Sequence, residues 1–520
     1  GGALFIMLID NTTHATVEDG AEIFSGMDGG FHIKADEVLF NISLGQAGAS
    51  AETVSVGGTV MYTQEVSDTV ARLGAGAIVT GRNVNIYAAN LGTNIMWAGG
   101  VAKSEAIGAG ISVAVNNFDR KTLALIGDET NQTLGTMDDV SGINVAEDVT
   151  TRAVVGGDLY SFTVAGAVVS AKEDKPTENP PGSSPSSSDD GSNDSDPLDG
   201  VSLPRLFGDE PYASGDGDST PPSDDSQKQK QKTGVGIAAA ASVNMVKDTT
   251  QASVIDAGQV QAGSLSVTAE NDSDIIAATG GLAFTKEKAG GTAVALAGAF
   301  SYNGITAATT ALVEDSAFTL DGNGIGWPVG ADESDANPTV RIHSSSDARI
   351  IAAAAGGAGA VAAGTSSSSS GGSSKAVAVA GSVSVNSITN GTSATASNVD
   401  FEIVSGSSAE DASNGNLYIL AVDKSRIFAI AGGLSLSVAS GQQGSSTAVS
   451  AGVAVSVNKI VSSATATLKD ADVDWVAPDQ DYPSVLSRGD LLIQATSEET
   501  IDAYTLAGAV SVAKGTSGSG

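Results

Sequence analysis

Three aspartates at alternate positions have the chemistry of a cation site. Asp470, Asp472 and Asp474 lie in the stretch KDADVDW, and alternate residues of a β-strand point to the same face. Carboxylate oxygens held close together are the ligands that Ca²⁺ prefers. The stretch matches neither an EF-hand loop nor a calcium-binding nonapeptide array. A calcium site and a solvated acidic face both remain open, and no other cofactor is indicated.

Histidine and arginine offer little for catalysis. The three histidines, His14, His32 and His343, are too few and too scattered for a metal site or a triad. The enzyme hypothesis that fits a β-helix is a polysaccharide lyase or epimerase, which needs Lys or Arg clustered with Asp. The candidate arginines fall in different repeat units: Arg341, Arg349, Arg426 and Arg488. We therefore assign no catalytic residue and expect a protein that is not an enzyme.

One tripeptide resembles the integrin-recognition motif. Arg488, Gly489 and Asp490 form it in the stretch SRGDLL, and the functional hypothesis is attachment to a host cell. Other repeats have a turn at the same place, in AGSL and NGNL. Turn chemistry therefore explains Gly489 without any binding role.

Composition excludes several classes of protein. The formal net charge is −35, which repels nucleic acid and anionic membrane surfaces. Cysteine is absent, so the chain has no disulfide and no thiolate metal site. The longest run of small apolar residues, 350–364, is shorter than a bilayer span, and we predict no transmembrane segment. Only 4% of the residues are aromatic against 41% hydrophobic, which indicates a thin core of Ala and Val.

A phrase of alternating small residues recurs along the chain. It reads KAVAVAGSVSVNSI from Lys375 and TAVSAGVAVSVNKI from Thr447, and a period of two predicts β-strands with one buried face. Each copy carries an Asn that we interpret as a turn between two strands. Asp10 and Asn11 hold the corresponding place in the first copy, and Thr63 and Gln64 depart from it in the second. The recurring asparagines are Asn116, Asn244, Asn303, Asn386 and Asn458.

A second recurring strand has the form apolar-x-apolar-x-small. Its copies are spaced by 53 to 77 residues, apart from one gap of 122. Together with a third phrase, a strand that has glycine at its middle, the anchors predict about four strands in each unit. The central residues of this strand are Ile33, Ile86, Val145, Val267, Ile342, Ile419 and Ile493.

The long gap contains a segment of different composition. Residues 173–232 hold nine of the 13 prolines and are dense in Ser and Asp, a composition that does not bury enough apolar surface to offset chain entropy. We predict a disordered insertion here. The predicted organisation is therefore β repeats over 1–172, the insertion over 173–232, and β repeats over 233–520.

Repeats of strands without helices or disulfides must stack on one another to bury their faces. We therefore predict an all-β fold, an elongated β-solenoid or parallel β-helix of about seven repeats. Asparagines at one position of successive coils would form a ladder of side-chain amide hydrogen bonds and fix the register. A series of β-sandwich domains is the alternative, but no Trp or Tyr landmark repeats at sandwich spacing.

The phrases AVAVAGSVSVN, AGG and L-x-I-x-A resemble the repeats of very large secreted bacterial surface proteins. These are of the filamentous-haemagglutinin-like and autotransporter-passenger kinds, and the repeats of leukotoxins are similar. The resemblance implies an exported structural or adhesive shaft at the bacterial cell surface or in the extracellular matrix. The implied partners are a host-cell or matrix surface or neighbouring copies of the chain. A carbohydrate-active β-helix and the repeat region of a secreted toxin remain alternatives.

Overall fold

The described strands all belong to one unit, Gly1–Ala171 with Lys232–Gly520. The computed structural model describes residues 1–26, 28–127, 142–170, 233–288, 291–322, 338–364, 373–404, 415–441, 444–476 and 489–519. None of these residues is helical, so the described part of the chain holds no helix that could span a membrane. The predicted insertion, 173–232, lies outside the described residues.

The strands form two sheets in which every pairing is parallel. Sheet A consists of β1 (Gly2–Val17), β2 (Glu22–Phe24), β4 (Val54–Leu73), β5 (Ile78–Gly81), β7 (Ile107–Gly127), β8 (Gly142–Val145), β10 (Thr233–Ala262), β12 (Thr292–Leu320), β14 (Ser374–Val404), β16 (Ser445–Val476) and β18 (Ser517–Ser519). Sheet B consists of β3 (Phe31–Ala51), β6 (Val84–Ser104), β9 (Asp148–Ser170), β11 (Ser264–Lys288), β13 (Val340–Gly364), β15 (Leu417–Gly441) and β17 (Leu491–Lys514).

The chain alternates between the two sheets, so that one long strand of each sheet makes one coil. Seven coils stack in this way, and each strand pairs with the equivalent strand of the coils before and after it. The predicted β-solenoid of about seven repeats is confirmed. The expectation of about four strands in each unit is wrong, because most coils run through two strands of 20 to 32 residues. Within the described ranges, a short third strand, β2, β5 or β8, is present in the first three coils only.

The bend in the four longest sheet A strands, β10, β12, β14 and β16, falls later than the sequence indicated. Asn386 lies inside β14 and not at a turn. The strands bend instead at residues with left-handed backbone, Asp256, Asp315, Asn398 and Asp470, whose φ angles are between 48° and 53°. Asp and Asn adopt this conformation more readily than most residues. The pairing skips these positions, so the bends of successive coils lie over one another.

Two parts of the core differ in the size of their side chains. Beyond the bend, large residues fill the space between the strands, and Phe318 and Phe401 stack with ring centroids 5.1 Å apart. Where the sheet A strands begin and the sheet B strands end, the core is made of alanines, including Ala165, Ala240, Ala295, Ala360 and Ala378. We call this flat part the fin. The two sheets approach each other most closely in the fin.

Inward-facing glycines make that approach possible. A Cβ atom on Gly433 would lie 2.3 Å from the backbone oxygen of Val453 on the opposite sheet, and one on Gly356 would lie 2.4 Å from that of Gly381. Both distances are shorter than any normal contact. Glycine within these strands therefore marks a close approach of two backbones.

The apolar anchors of sheet B stack in one row, with one exception. Ile33, Ile86, Val267, Ile342, Ile419 and Ile493 occupy equivalent positions of successive coils. The third position of this row belongs to Thr151, which pairs with both Ile86 and Val267. The assignment of Val145 to the row is wrong, since Val145 lies in β8 and pairs with Gly81 in sheet A.

Candidate functional site

Five asparagines form a continuous ladder through the core. The side-chain amide of each of the first four donates a hydrogen bond to the amide oxygen of the asparagine in the next coil, over 2.7 to 2.8 Å. The members are Asn116, Asn244, Asn303, Asn386 and Asn458, and the first four are buried. The equivalent residues of the first two coils are Met7 and Thr63. Asp10 and Asn11 therefore do not hold the corresponding place, and the ladder begins in the third coil.

A layer of buried polar side chains follows the ladder. The guanidinium of Arg120 donates to both carboxylate oxygens of Asp248, at 2.8 and 3.0 Å, and both residues are buried. In a later coil Asp423 accepts hydrogen bonds from Ser425 and, across the core, from Ser462. Burial raises the pKa of the Asp423 carboxyl. These groups are satisfied within the core, so we read them as structural.

A depression on the outer face of sheet B gathers charged side chains. Its volume is about 750 Å³. At Gly156 an outward position has no side chain, beside larger residues on neighbouring coils. Asp158 and Asp274 line the depression, and the next coils continue the same row with Arg349 and Arg426 beside it. We call this depression the groove.

Ion pairs join neighbouring coils in the groove. The guanidinium of Arg349 donates to both carboxylate oxygens of Asp274, and that of Arg152 donates to Glu270 over 2.8 Å. Burial raises the pKa of the Asp274 carboxyl in spite of Arg349. The pKa of Asp272 is raised as well, first by burial and then by the nearby Asp274 and Asp347 carboxyls.

His343 lines the same groove. Burial, and to a lesser degree the Arg341 guanidinium, lower the pKa of the His343 imidazole to about 4. The ring is therefore neutral at pH 7. Its Nδ1 atom lies 3.2 Å from the Arg341 side chain. The ring lies on the outer face of sheet B, and neighbouring side chains cover much of it.

The residues in and beside the groove are far apart in the sequence, and the sequence alone did not predict that they lie together. Arg349 and Arg426 lie in different repeats, yet the stacking puts them in adjacent coils, directly paired. Asp158 and Asp274 were not singled out, because they are 116 residues apart and only the register brings them together. Arg488 lies outside the described residues. The signal that could have found the groove is a charge at one position of each repeat, after correct alignment of the repeats.

The remaining predicted residues lie elsewhere. Asp470 occupies the left-handed bend within β16, and Asp472 and Asp474 are exposed beyond it. The three thus do not share one uninterrupted strand face. Gly489 and Asp490 directly precede β17, and the Asp490 backbone N–H donates to the side-chain oxygen of Asn416 over 2.8 Å. Across the described ranges, no three His, Asp or Glu side chains are grouped closely enough to hold a metal ion.

Comparison with known proteins finds no relative of this chain. No family model, curated protein or solved structure matches the chain. The resemblance to bacterial surface repeats thus stays a prediction that depends on the quoted phrases alone.

Proposed function

We propose that this chain is a structural and adhesive shaft segment of a secreted or cell-surface bacterial repeat protein. The observation that carries the proposal is the asparagine ladder, which ties five coils in fixed register across loops of very different composition. Interlocked coils of this kind suit extension and surface display. The proposed partner is a host-cell or matrix surface, and the exposed Asp490 is one residue that it would contact.

Pulling on single molecules tests the mechanical part of this proposal. Equivalent residues of successive coils are 53 to 83 residues apart, except for the 128 residues between Asn116 and Asn244. If the chain is held between residues of the first and last coils, each lost coil should release roughly 180–280 Å of contour, and the coil with the 128-residue separation roughly 440 Å, at about 3.4 Å per residue. A series of such steps is expected. Unfolding of the whole stack in a single event at low force would contradict a shaft that resists tension.

The groove favours a second candidate, recognition of a saccharide. A lyase or epimerase needs a cation beside carboxylates, and Arg349 and Arg426 continue, beside the groove, the row of Asp158 and Asp274 that line it. Against this candidate, Arg349 is already paired with Asp274. Calcium binding and a toxin role are supported by sequence patterns alone.

Titration calorimetry with neutral and uronic oligosaccharides tests the second candidate. Saccharide binding predicts a measurable heat that Arg426→Ala abolishes, and a control change outside the groove, Thr306→Ala, should leave it unchanged. A lyase would also generate an unsaturated product that absorbs in the ultraviolet. The absence of both signals would leave the shaft as the sole proposal.

A further inference from the structure

The outer face of sheet B is divided into a charged half and an apolar half. Beyond the row of Asp274 and Arg349, the outward positions of β11, β13 and β15 carry no charge until the fin edge is near. Large apolar side chains stand there in the solvent, although they lie on internal coils. Leu282 is 65% exposed and Leu434 is 56% exposed. We call this apolar half the B face.

The outer face of sheet A repeats the pattern on the opposite side of the fin. Its outward residues at the start of each strand are large and apolar, including Ile111, Ile237, Leu296, Phe300 and Val379, which are 36–42% exposed. Farther along the same strands the outward residues become polar, as at Thr306 and Thr389. We call the apolar part the A face.

The fin therefore reverses the usual distribution of residues. Its interior holds alanine, serine and asparagine, and its two outer faces hold the larger aliphatic and aromatic side chains. A soluble sheet normally puts its apolar residues on the packed face and its polar residues outside. The core cannot use these side chains, because its glycines keep the two sheets too close together.

Each face is large enough for a stable interface. About ten residues of six or seven strands contribute to it, which at about 3.3 Å per residue and 4.8 Å per strand makes on the order of 900 Å². A standard protein interface buries roughly 800 Å² on each partner. Contiguous apolar patches above a few hundred Å² mark interaction sites.

We propose that the A and B faces are covered by second copies of this chain, which stack sheet on sheet in an open-ended assembly. Two opposite apolar faces on one thin body are both covered only if the molecule has a neighbour on each side. A closed dimer would leave one of them bare. Stacked sheets pack about 10 Å apart with side chains interdigitated. The charged residues of sheet B lie outside the contact, in the other half of the face.

A lipid bilayer is the less suitable occupant. The fin edge is where β9 ends and β10 begins, and the chain between them, residues 171–232, carries 14 Asp and Glu. These charges contribute to a net charge of −35 for the chain, which opposes binding to anionic lipid.

Sedimentation velocity of the full chain tests the stacking. Wild type should form species whose size rises with protein concentration without a plateau, and more so at high salt, because salt screens the repulsion between acidic copies. Lys at two B face positions, Leu282→Lys with Leu434→Lys, should stop assembly at a dimer or monomer. The A face pair, Leu296→Lys with Val379→Lys, should do the same, and the four changes together should leave monomers.

The control pair adds the same two charges to the polar halves of the same sheets, Ser266→Lys with Thr306→Lys. It should assemble as wild type does, and circular dichroism verifies that every variant is folded. Monomeric wild type at all concentrations, or equal loss of assembly in the control, would overturn the proposal. So would a monomeric wild type that floats with phosphatidylcholine vesicles. Stacking would give the proposed shaft a partner, so it builds on that proposal. The two can fail separately, because a variant that stays monomeric can still be pulled and should still extend in steps.

Discussion

At the scale of single residues, Asn386 acts through its neighbours. It accepts a hydrogen bond from Asn303 and donates one to Asn458. Asn386→Leu should destabilise the fold by about 1–3 kcal/mol, because buried amide groups in the adjacent coils lose their partner. The midpoint of urea denaturation measures this. The matched control is Asn117→Leu on the outward side of β7, for which a change within about 0.5 kcal/mol is expected; equal effects at both sites would contradict the role of the ladder.

His343 gives the fold a dependence on pH. Its pKa is about 4 in the folded chain and 6.5 in its ordinary state, so the unfolded chain binds more protons between these values. Stability should therefore fall as the pH drops from about 6.5 to 4. His343→Gln should lose this contribution, so its free energy of unfolding should change less than that of wild type between pH 7 and pH 5. An imidazole NMR titration of His343 with its midpoint near 6.5 would refute the burial argument.

At the scale of the strand, one glycine position decides whether the sheets can approach. Gly433→Ala places a Cβ against the Val453 backbone, so we expect a loss of about 1–3 kcal/mol from overpacking. The neighbouring Gly432 faces outward, and a Cβ there meets only the Leu506 oxygen at 3.9 Å. Gly432→Ala should therefore be neutral or slightly stabilising. Thermal unfolding of the two variants provides the comparison, and the reverse order would exclude close sheet approach at Gly433.

Strand periodicity predicted which residues of a coil face inward, but not where the strands end. Asn is uncommon in strands, so Asn386 looked like a turn, whereas the ladder satisfies its amide within the sheet. Val145 and Thr151 lie on either side of one corner in similar sequence, and the sequence alone favoured the wrong one. The groove depends on the register between coils, which loops of unequal length conceal. Each of these wrong or missing predictions thus depends on an interaction between coils, which the sequence of a single coil does not reveal.

At the scale of the whole stack, each coil adds little length along the axis for the number of residues it contains. Each coil adds about 4.8 Å and uses 53 to 83 residues, or 128 between Asn116 and Asn244. A single strand such as β14 has 31 residues, a contour of about 100 Å. The coils are therefore wide relative to their rise. Such a wide coil resists bending and presents broad outer faces, which is the property that both the shaft and the stacking proposals use.

The central claim is that equivalent positions of successive coils lie directly over one another, and paired cysteines test it in a chain that has none of its own. Thr306 and Thr389 are paired, exposed neighbours 83 residues apart, within the Cα separation that a thiol link spans. Thr306→Cys with Thr389→Cys should cross-link rapidly under a short thiol-specific reagent, as identified by mass spectrometry of the joined peptides. The off-register pair, Thr306→Cys with Ser393→Cys, should not. Failure of the first pair, or equal linking of both, would contradict the stacked register.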